Sequence, residues 1–599
     1  MSATYRHDMP FGAQFADGRV RFRLYAPDAT SVAVITTSAE REQRIPLERR
    51  GDGWFETVTT DAGAGTEYAF SLDGAARRVP DPASRFQPGG VHAPSMVVDP
   101  ASFAWPQKWS GLPWAEHVFY ELHVGTFTPA GTYAAARTKL PHLVALGITA
   151  IELMPLADVP GERNWGYDGV LPFAPSHNYG TPDELKAFIV DAHEHGLAVY
   201  LDVVYNHFGP EGNYLHGYAS TFYTERRQTP WGAAIDVGGE GRDDVRAFFI
   251  ENALYWTQEY RFDGLRLDAV HAIYDGPERR FLRELARSIA ERSDRTIALV
   301  LENDRNEAPL LEAGFRAQWN DDAHHAMHVI VTGEDDGYYR DYADDPVARL
   351  GTTLTQGFAY QGDFSAYRGV VRGSPSVTLT LGSFVTFLQN HDQIGNRPCG
   401  ERITSLAPAP ALRAIVAVYL LAPSPPLLFM GEEWGTSSPF LFFCDFEPEL
   451  ARAVTAGRRS EFASFAGFAD PAARERIPDP AAPGTFARST LHWDEIARDS
   501  HAAWLDYYTQ LLAIRRRELA PRIADVRGTD CSFGKVGTRG LQARFRLDDG
   551  STLALDANLG DGEQDGFAAL PGGYVLFATH DPTYPDSIAP PWSVRWTLS

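Results

Sequence analysis

A chain of 599 residues with 44% hydrophobic content can bury a large core and still carry flanking modules, so more than one domain is expected. Its formal net charge of −24, with no run of Lys and Arg, argues against nucleic acid and acidic membrane surfaces as partners and leaves neutral or cationic ones. The three cysteines, Cys399, Cys444 and Cys531, are too few and too odd in number for a disulfide framework, and no stretch approaches the ~18 uncharged apolar residues of a membrane span, so a cytoplasmic chain without a targeting segment is expected.

Over residues 1–99, Val20, Phe22 and Leu24 alternate with Arg21 and Arg23, and SVAVI, GWFETVTT and GTEYAFSLDG follow between Gly and Asp turns. Alternation at period two predicts an N-terminal β-sandwich. Residues 100–113, with prolines at 100, 106 and 113, read as a linker. From 114 to 519 apolar strand candidates alternate with helical stretches: HVFYELHV, ITAIELMP, LAVYLDVVYNH, FDGLRLDAV, IALVLEND, AQWND, SFVTFLQNHD and PPLLFMGEE. Eight such strands are what a (β/α)8 TIM barrel requires. One helix opens on Thr181 as N-cap, Pro182 in the first turn and Glu184 as capping-box acid, and closes at Gly196; another is expected over 245–260. Residues 208–243, rich in Gly, Pro and aromatics, are too long for an ordinary connection and predict an excursion at the barrel mouth. Residues 333–377 show no readable element. AAWLDYYTQLLAIRRREL supplies the last barrel helix, and over 520–599 LQARFRLDDGSTLALDANL returns to alternation, predicting a C-terminal β-sandwich. The fold class is α/β, a barrel between two β modules.

Several strands finish on charge: Asp202 and His207 on the third, Arg266 and Asp268 on the fourth, Glu302 on the fifth, His391 and Asp392 on the seventh. In a barrel these ends converge on the face where such enzymes carry their sites. Two carboxyls flanking a glycosidic bond are what glycoside hydrolysis needs, one to attack and one held protonated for the leaving oxygen. Arg266 lies two residues before Asp268, so on a strand both face the same way and the guanidinium keeps that carboxylate ionised, as suits a nucleophile. Glu302 ends the apolar run IALVL, where burial raises a carboxyl pKa and suits it to acid/base work.

The motifs DVVYNH (202–207), GLRLDAV (264–270), LVLEND (299–304) and QNHD (389–392), in this order, resemble those of glycoside hydrolase family 13, the α-amylase family. The resemblance implies Asp268 as nucleophile, Glu302 as acid/base and Asp392 as the acid that binds the reacting sugar's hydroxyls. It makes Arg266, His207 and His391 contacts to that sugar, Tyr167 of NWGYDG the ring stacked beneath it, and Asp202 their support. Longer strings, among them MPFGA, YELHVGTF, RNWGYDG, YNHFGPEGNYL, FFIENALYW, AQWNDDAHH, FLQNHDQIGNR, FMGEE and PFLFFCDF, are similar to those of the members that release trehalose from the end of maltooligosyl trehalose. RFRLYAP resembles the family 48 carbohydrate-binding module. The implied reaction is retaining hydrolysis of the α-1,4 bond beside the terminal trehalose unit, without a cofactor, downstream of a maltooligosyltrehalose synthase. The same resemblance puts trehalose recognition on the loops after strands six and eight, with Asp321, Asp322 and His325 as polar groups and Trp434, Phe440 and Phe442 as aromatic faces.

Glu121, Glu152 and Glu432 also sit in or at the ends of strands and are expected to be structural ion pairs. His324, His325 and His328 fall in one helical segment without a matched acid cluster, so no metal site is expected. The rival readings are a glycogen branching or debranching enzyme, which shares the leading module and the trio, and a non-enzymatic glycogen-binding protein, against which the intact trio argues.

Overall fold

The structure is a computed structural model that describes residues 4–38, 41–106, 109–229, 232–464, 470–568, 572–580 and 587–599. Residues 107–108 of the expected linker and 230–231 of the expected excursion lie outside the described residues. The eight strand candidates form Phe119–Leu122, Ala150–Leu153, Ala198–Val203, Gly264–Leu267, Ala298–Leu301, Ala317–Trp319, Phe384–Phe387 and Pro426–Phe429. Each pairs in parallel with the next and the last returns to the first, closing the barrel. Its lumen is packed by Phe119, Tyr200, Val300, Trp319, Phe387 and Leu427, so it is a core and not a channel.

The helix after the second strand runs Pro182–Glu194, with both halves of the Thr181/Glu184 capping box made and Gly196 left-handed just past its end. The helix expected over 245–260 is Asp243–Gln258, starting two residues earlier because Asp243 and Asp244 occupy its first turn, where acids complement the helix dipole. Between 208 and 243 lie two short 3-10 turns and a hairpin of Tyr223–Thr229 with Gly232–Ile235.

Residues 333–377, where no element was readable, hold the helix Pro346–Gln356, capped by Asp345, and a hairpin of Asp363–Ser365 with Val370–Arg372. The last barrel helix, Asp499–Ile514, passes into one wide turn, Arg515–Leu519. There the buried Arg515 guanidinium donates to the carbonyls of Leu420, Ala422, Pro423 and Ser424, tying the helix to the entry of strand eight.

The leading module is two facing sheets, one built on Gly12–Ala16, Arg19–Tyr25 and Trp54–Thr59, the other on Val32–Ser38, Arg41–Pro46 and Glu67–Leu72. It packs on the barrel excursion and the helix that follows it: Phe11 meets Phe248 edge-on at 5.3 Å, Trp54 Nε1 donates to Asp244 at 3.2 Å, and Asp28 accepts from Ser220 N at 2.7 Å. The end of the expected linker and the residue after it lie at the opposite end of the barrel, where Trp109 Nε1 donates to Asp263 at 2.7 Å and Trp114 Nε1 to the Gly382 carbonyl at 2.7 Å. Among the described residues the C-terminal region holds a five-stranded antiparallel sheet and a two-stranded one, Gln564–Asp565 with Ile588–Ala589, and Trp596 of the larger sheet donates to the Ala417 carbonyl of a barrel helix at 2.9 Å. Among the described residues no helix is long and apolar enough to cross a membrane.

Candidate active site

Strands four and five lie in register, Leu267 opposite Leu301, so Asp268 and Glu302 leave the sheet side by side. Arg266, two residues before Asp268, is fully buried. Its Nη1 donates to Asp268 Oδ1 at 2.9 Å and to Asp202 Oδ2 at 2.7 Å, its Nη2 lies 2.9 Å from Glu302 Oε2, and its guanidinium caps the Trp319 ring at 4.0 Å. One cation therefore spans three carboxylates. Exposure separates the acids at this end of the barrel: the side chains of Asp268, Glu302 and Asp392 retain 13%, 16% and 37% of their surface, whereas Asp202 keeps 1%. The first three can reach a ligand, and Asp202, among the described residues, is bonded to Arg266 and to the Tyr167 hydroxyl, which donates to it at 2.6 Å.

Asp268 also accepts from Asn206 Nδ2 at 2.6 Å, through the oxygen that Arg266 leaves free. Glu302 accepts from Ala269 N at 2.7 Å, and the backbone of Ala269 is left-handed at φ 39°. Burial pushes the Glu302 carboxyl well above the usual range; Arg266 opposes this, and Asp268 and Asp392 add to it. Packing around Asp392 also disfavours its charge, but His391, with Arg266 and Asn396 behind it, holds that carboxyl below the usual range. Tyr167 stacks on His391 with centroids 5.0 Å apart and stays half-buried. His207 Nε2 pairs with the Tyr167 carbonyl at 3.0 Å, and burial lowers the pKa of its ring. Two carboxyls set beside each other at one mouth, one of them with its pKa raised by burial, can divide acid and nucleophile roles between them.

The six residues expected to face trehalose divide. Asp321 and Phe442 are half-buried, Asp321 raised to about 7 by burial and Asp304, Phe442 edge-on to Trp165 at 5.2 Å. The other four are closed off. Asp322 accepts from Asn306 Nδ2 at 2.9 Å, from the amides of Ala359 and Tyr360, from the Tyr342 hydroxyl and from Arg372. It staples the hairpin and helix of residues 333–377 and has no oxygen left for a sugar. His325 is boxed by Tyr338, Tyr339 and Tyr342. Trp434, with no exposed surface, packs on Trp493 at 5.0 Å. Phe440, equally enclosed, stacks on Trp165 at 5.2 Å. In sequence a loop aromatic that fills core and one that faces solvent look alike.

The expected ion pairs also divide. Glu121 makes one, with His391. Glu152 hydrogen-bonds to no protein group among the described residues, and burial raises its pKa well above the usual range. Glu432 accepts from the hydroxyls of Tyr419 and Tyr508, and burial pushes it up to about 7. Apolar strand neighbours give no warning that either acid lacks a cationic partner. His324 is bonded to the Leu388 carbonyl and the Tyr339 hydroxyl, and His328 to Glu334. Sequence reasoning overlooked Asn206, although it sits inside DVVYNH.

A closed parallel barrel with carboxylates at the ends of strands four, five and seven defines a glycoside hydrolase of the α-amylase class. Residues 10–100 match carbohydrate-binding module 48 (isoamylase N-terminal domain), 100–231 the alpha amylase catalytic domain, and 534–596 a domain of unknown function, DUF3459. The chain is 44% identical over 502 residues to the malto-oligosyltrehalose trehalohydrolase of Deinococcus radiodurans, covering 83% of this chain and 81% of that one. A crystal structure of a Salmonella typhimurium protein described as an alpha amylase superposes with a TM-score of 0.91 at 44% identity, over 98% of this chain and 99% of that one. The 1,4-alpha-glucan branching enzyme of Corynebacterium jeikeium is more distant, 29% identical over 71% of this chain and 62% of its own length. The chain belongs to the malto-oligosyltrehalose trehalohydrolases of the α-amylase family.

Proposed function

We propose that the chain hydrolyses, with retention, the α-1,4-glucosidic bond beside the terminal trehalose unit of maltooligosyl trehalose, releasing trehalose and a shortened maltooligosaccharide. The observation that carries the reading is the single buried guanidinium of Arg266 between two accessible carboxyls in unlike surroundings. Asp268, hydrogen-bonded by Arg266 and Asn206, is the nucleophile and forms the covalent maltooligosyl enzyme. Glu302, held protonated by burial, gives its proton to the departing trehalose oxygen and then takes one from water in the second step. Asp392, kept ionised by His391, accepts hydrogen bonds from the reacting sugar's hydroxyls and offsets the positive charge that builds at the ring. Tyr167 lies beneath that ring, with His207 and His391 at its edge. A synthase that builds the terminal trehalose unit supplies the substrate, and three free cysteines fit a cytoplasmic setting.

Purified protein incubated with maltotriosyl trehalose, maltopentaose and glycogen tests this by the products resolved on chromatography. Trehalose plus maltotriose from the first, well ahead of any cleavage of maltopentaose, is expected. New branch points or debranched chains from glycogen, with maltotriosyl trehalose left whole, would replace the reading with that of a branching or debranching enzyme.

A further inference from the structure

Glu121 takes no part in the chemistry above, yet both its oxygens are committed to a residue that does. It lies in the first barrel strand with 1% of its surface exposed. Its Oε1 is 2.5 Å from His391 Nδ1, and its Oε2 accepts from His391 N at 3.1 Å. On the far side of the ring, His391 Nε2 is 3.4 Å from Asp392 Oδ1. The imidazole thus stands between two carboxylates, one at each nitrogen. A neutral imidazole carries only one N–H and would turn a lone pair toward one of those oxygens, whereas the cation donates to both.

We propose that Glu121 is a positioning residue that keeps His391 doubly protonated, so that the imidazolium holds Asp392 ionised and presents an N–H at the edge of the reacting sugar. This rests on the assignment of Asp392 and His391 made above. The other groups around the ring do not replace Glu121. Glu152 lies opposite it in strand register and is kept neutral, by burial first and by Glu121 second. Asp202 on strand three is committed to Arg266 and the Tyr167 hydroxyl. Arg266 on strand four is positive and would expel a proton from His391, but it is surrounded by Asp202, Asp268 and Glu302. His123, beyond the end of strand one, is lowered to about 4 by burial, and Tyr167, stacked on the ring, is raised well above its ordinary value, so both are uncharged at neutral pH. Trp165 and Trp319 close the remaining sides without charge. Burial alone would drive His391 neutral; Glu121 and then Asp392 outweigh it, and the ring's pKa lies well above the ordinary value.

The test is the pH profile of Glu121→Gln, which keeps the shape and removes the charge. The ratio of variant to wild-type kcat/KM is expected to stay within about threefold of unity near pH 5.5 and to fall at least ~10-fold by about pH 7.5, as the imidazole returns toward its ordinary pKa of ~6.5. A ratio constant with pH, whether low or near unity, overturns the proposal, because a merely structural loss does not titrate. A second measurement needs no variant at Glu121: in wild-type protein carrying 13Cε1-labelled histidine, the resonance missing from His391→Asn should keep its cationic shift through about pH 8. A neutral shift at pH ~7.5 overturns the proposal as well. The profile is taken on whichever of maltotriosyl trehalose or maltopentaose the wild type cleaves. Failure of the substrate reading would therefore show in the wild type, and failure of this inference only in the ratio or the resonance.

Discussion

Phe440→Ala separates a trehalose-reading surface from scaffold. Phe440 has no exposed surface, stacks on Trp165 at 5.2 Å and meets Phe429 at 4.9 Å, Phe443 at 5.8 Å and His123 at 6.0 Å. Truncating a fully buried Phe costs about 3–5 kcal/mol through lost transfer energy and the cavity left behind. Four ring contacts that walls of this rigidity cannot restore put the loss at the upper end, about 4–5 kcal/mol. Trp165 in turn meets His391 edge-on at 5.5 Å, so a slackened Trp165 should disturb the reacting-sugar site for every substrate alike. Urea unfolding followed by tryptophan fluorescence reads the stability, and initial rates on maltotriosyl trehalose and maltopentaose read the preference. The expected result is a much lower unfolding midpoint, both rates reduced, and their ratio unchanged within about twofold. An unchanged midpoint with a collapsed ratio would show that the ring faces substrate after all.

Asp322→Asn should behave in the same way. It leaves the buried Arg372 guanidinium short of its partner at about 3–5 kcal/mol, and calorimetry should show the loss while the substrate ratio holds. With Asp268→Asn, turnover should vanish while the melting temperature is kept, and azide should yield a glycosyl azide of inverted configuration. Glu302→Gln should give no inverted product, and the opposite pattern would exchange the two roles. The alkaline limb of kcat/KM against pH belongs to Glu302: the acid is competent below its raised pKa and is lost as pH rises through it. Replacing Arg266 by Lys, which cannot span both carboxyls, should move that limb, and an unmoved limb would assign it to another group.

The barrel was legible because its eight strands are short apolar runs, several of which end abruptly in charge, and the Thr181 helix because its capping box and its closing glycine are local chemistry. The helix Pro346–Gln356 was not. PVARLGTTLTQ is weakened as a helix former by two adjacent threonines and a glycine, and it is held by Leu350, Leu354 and the Phe533 ring, which occupies the place a side chain at Gly351 would need. Asp321 and Asp322 make the same point within the candidate site. The two are neighbours of identical chemistry, and tertiary contacts alone leave one facing the mouth and bury the other under Arg372. Glu121 was recognised as a paired acid, but its partner became known only when strands one and seven were brought together around strand eight.

The most direct test of the central claim is to trap the glycosyl enzyme. Glu302→Gln, incubated with a fluorinated maltosyl fluoride that forms the intermediate quickly and releases it slowly, should gain the mass of one glycosyl group, and peptide mapping should place it on Asp268. A label on another carboxylate, or turnover to inverted product with no label at all, would contradict the account.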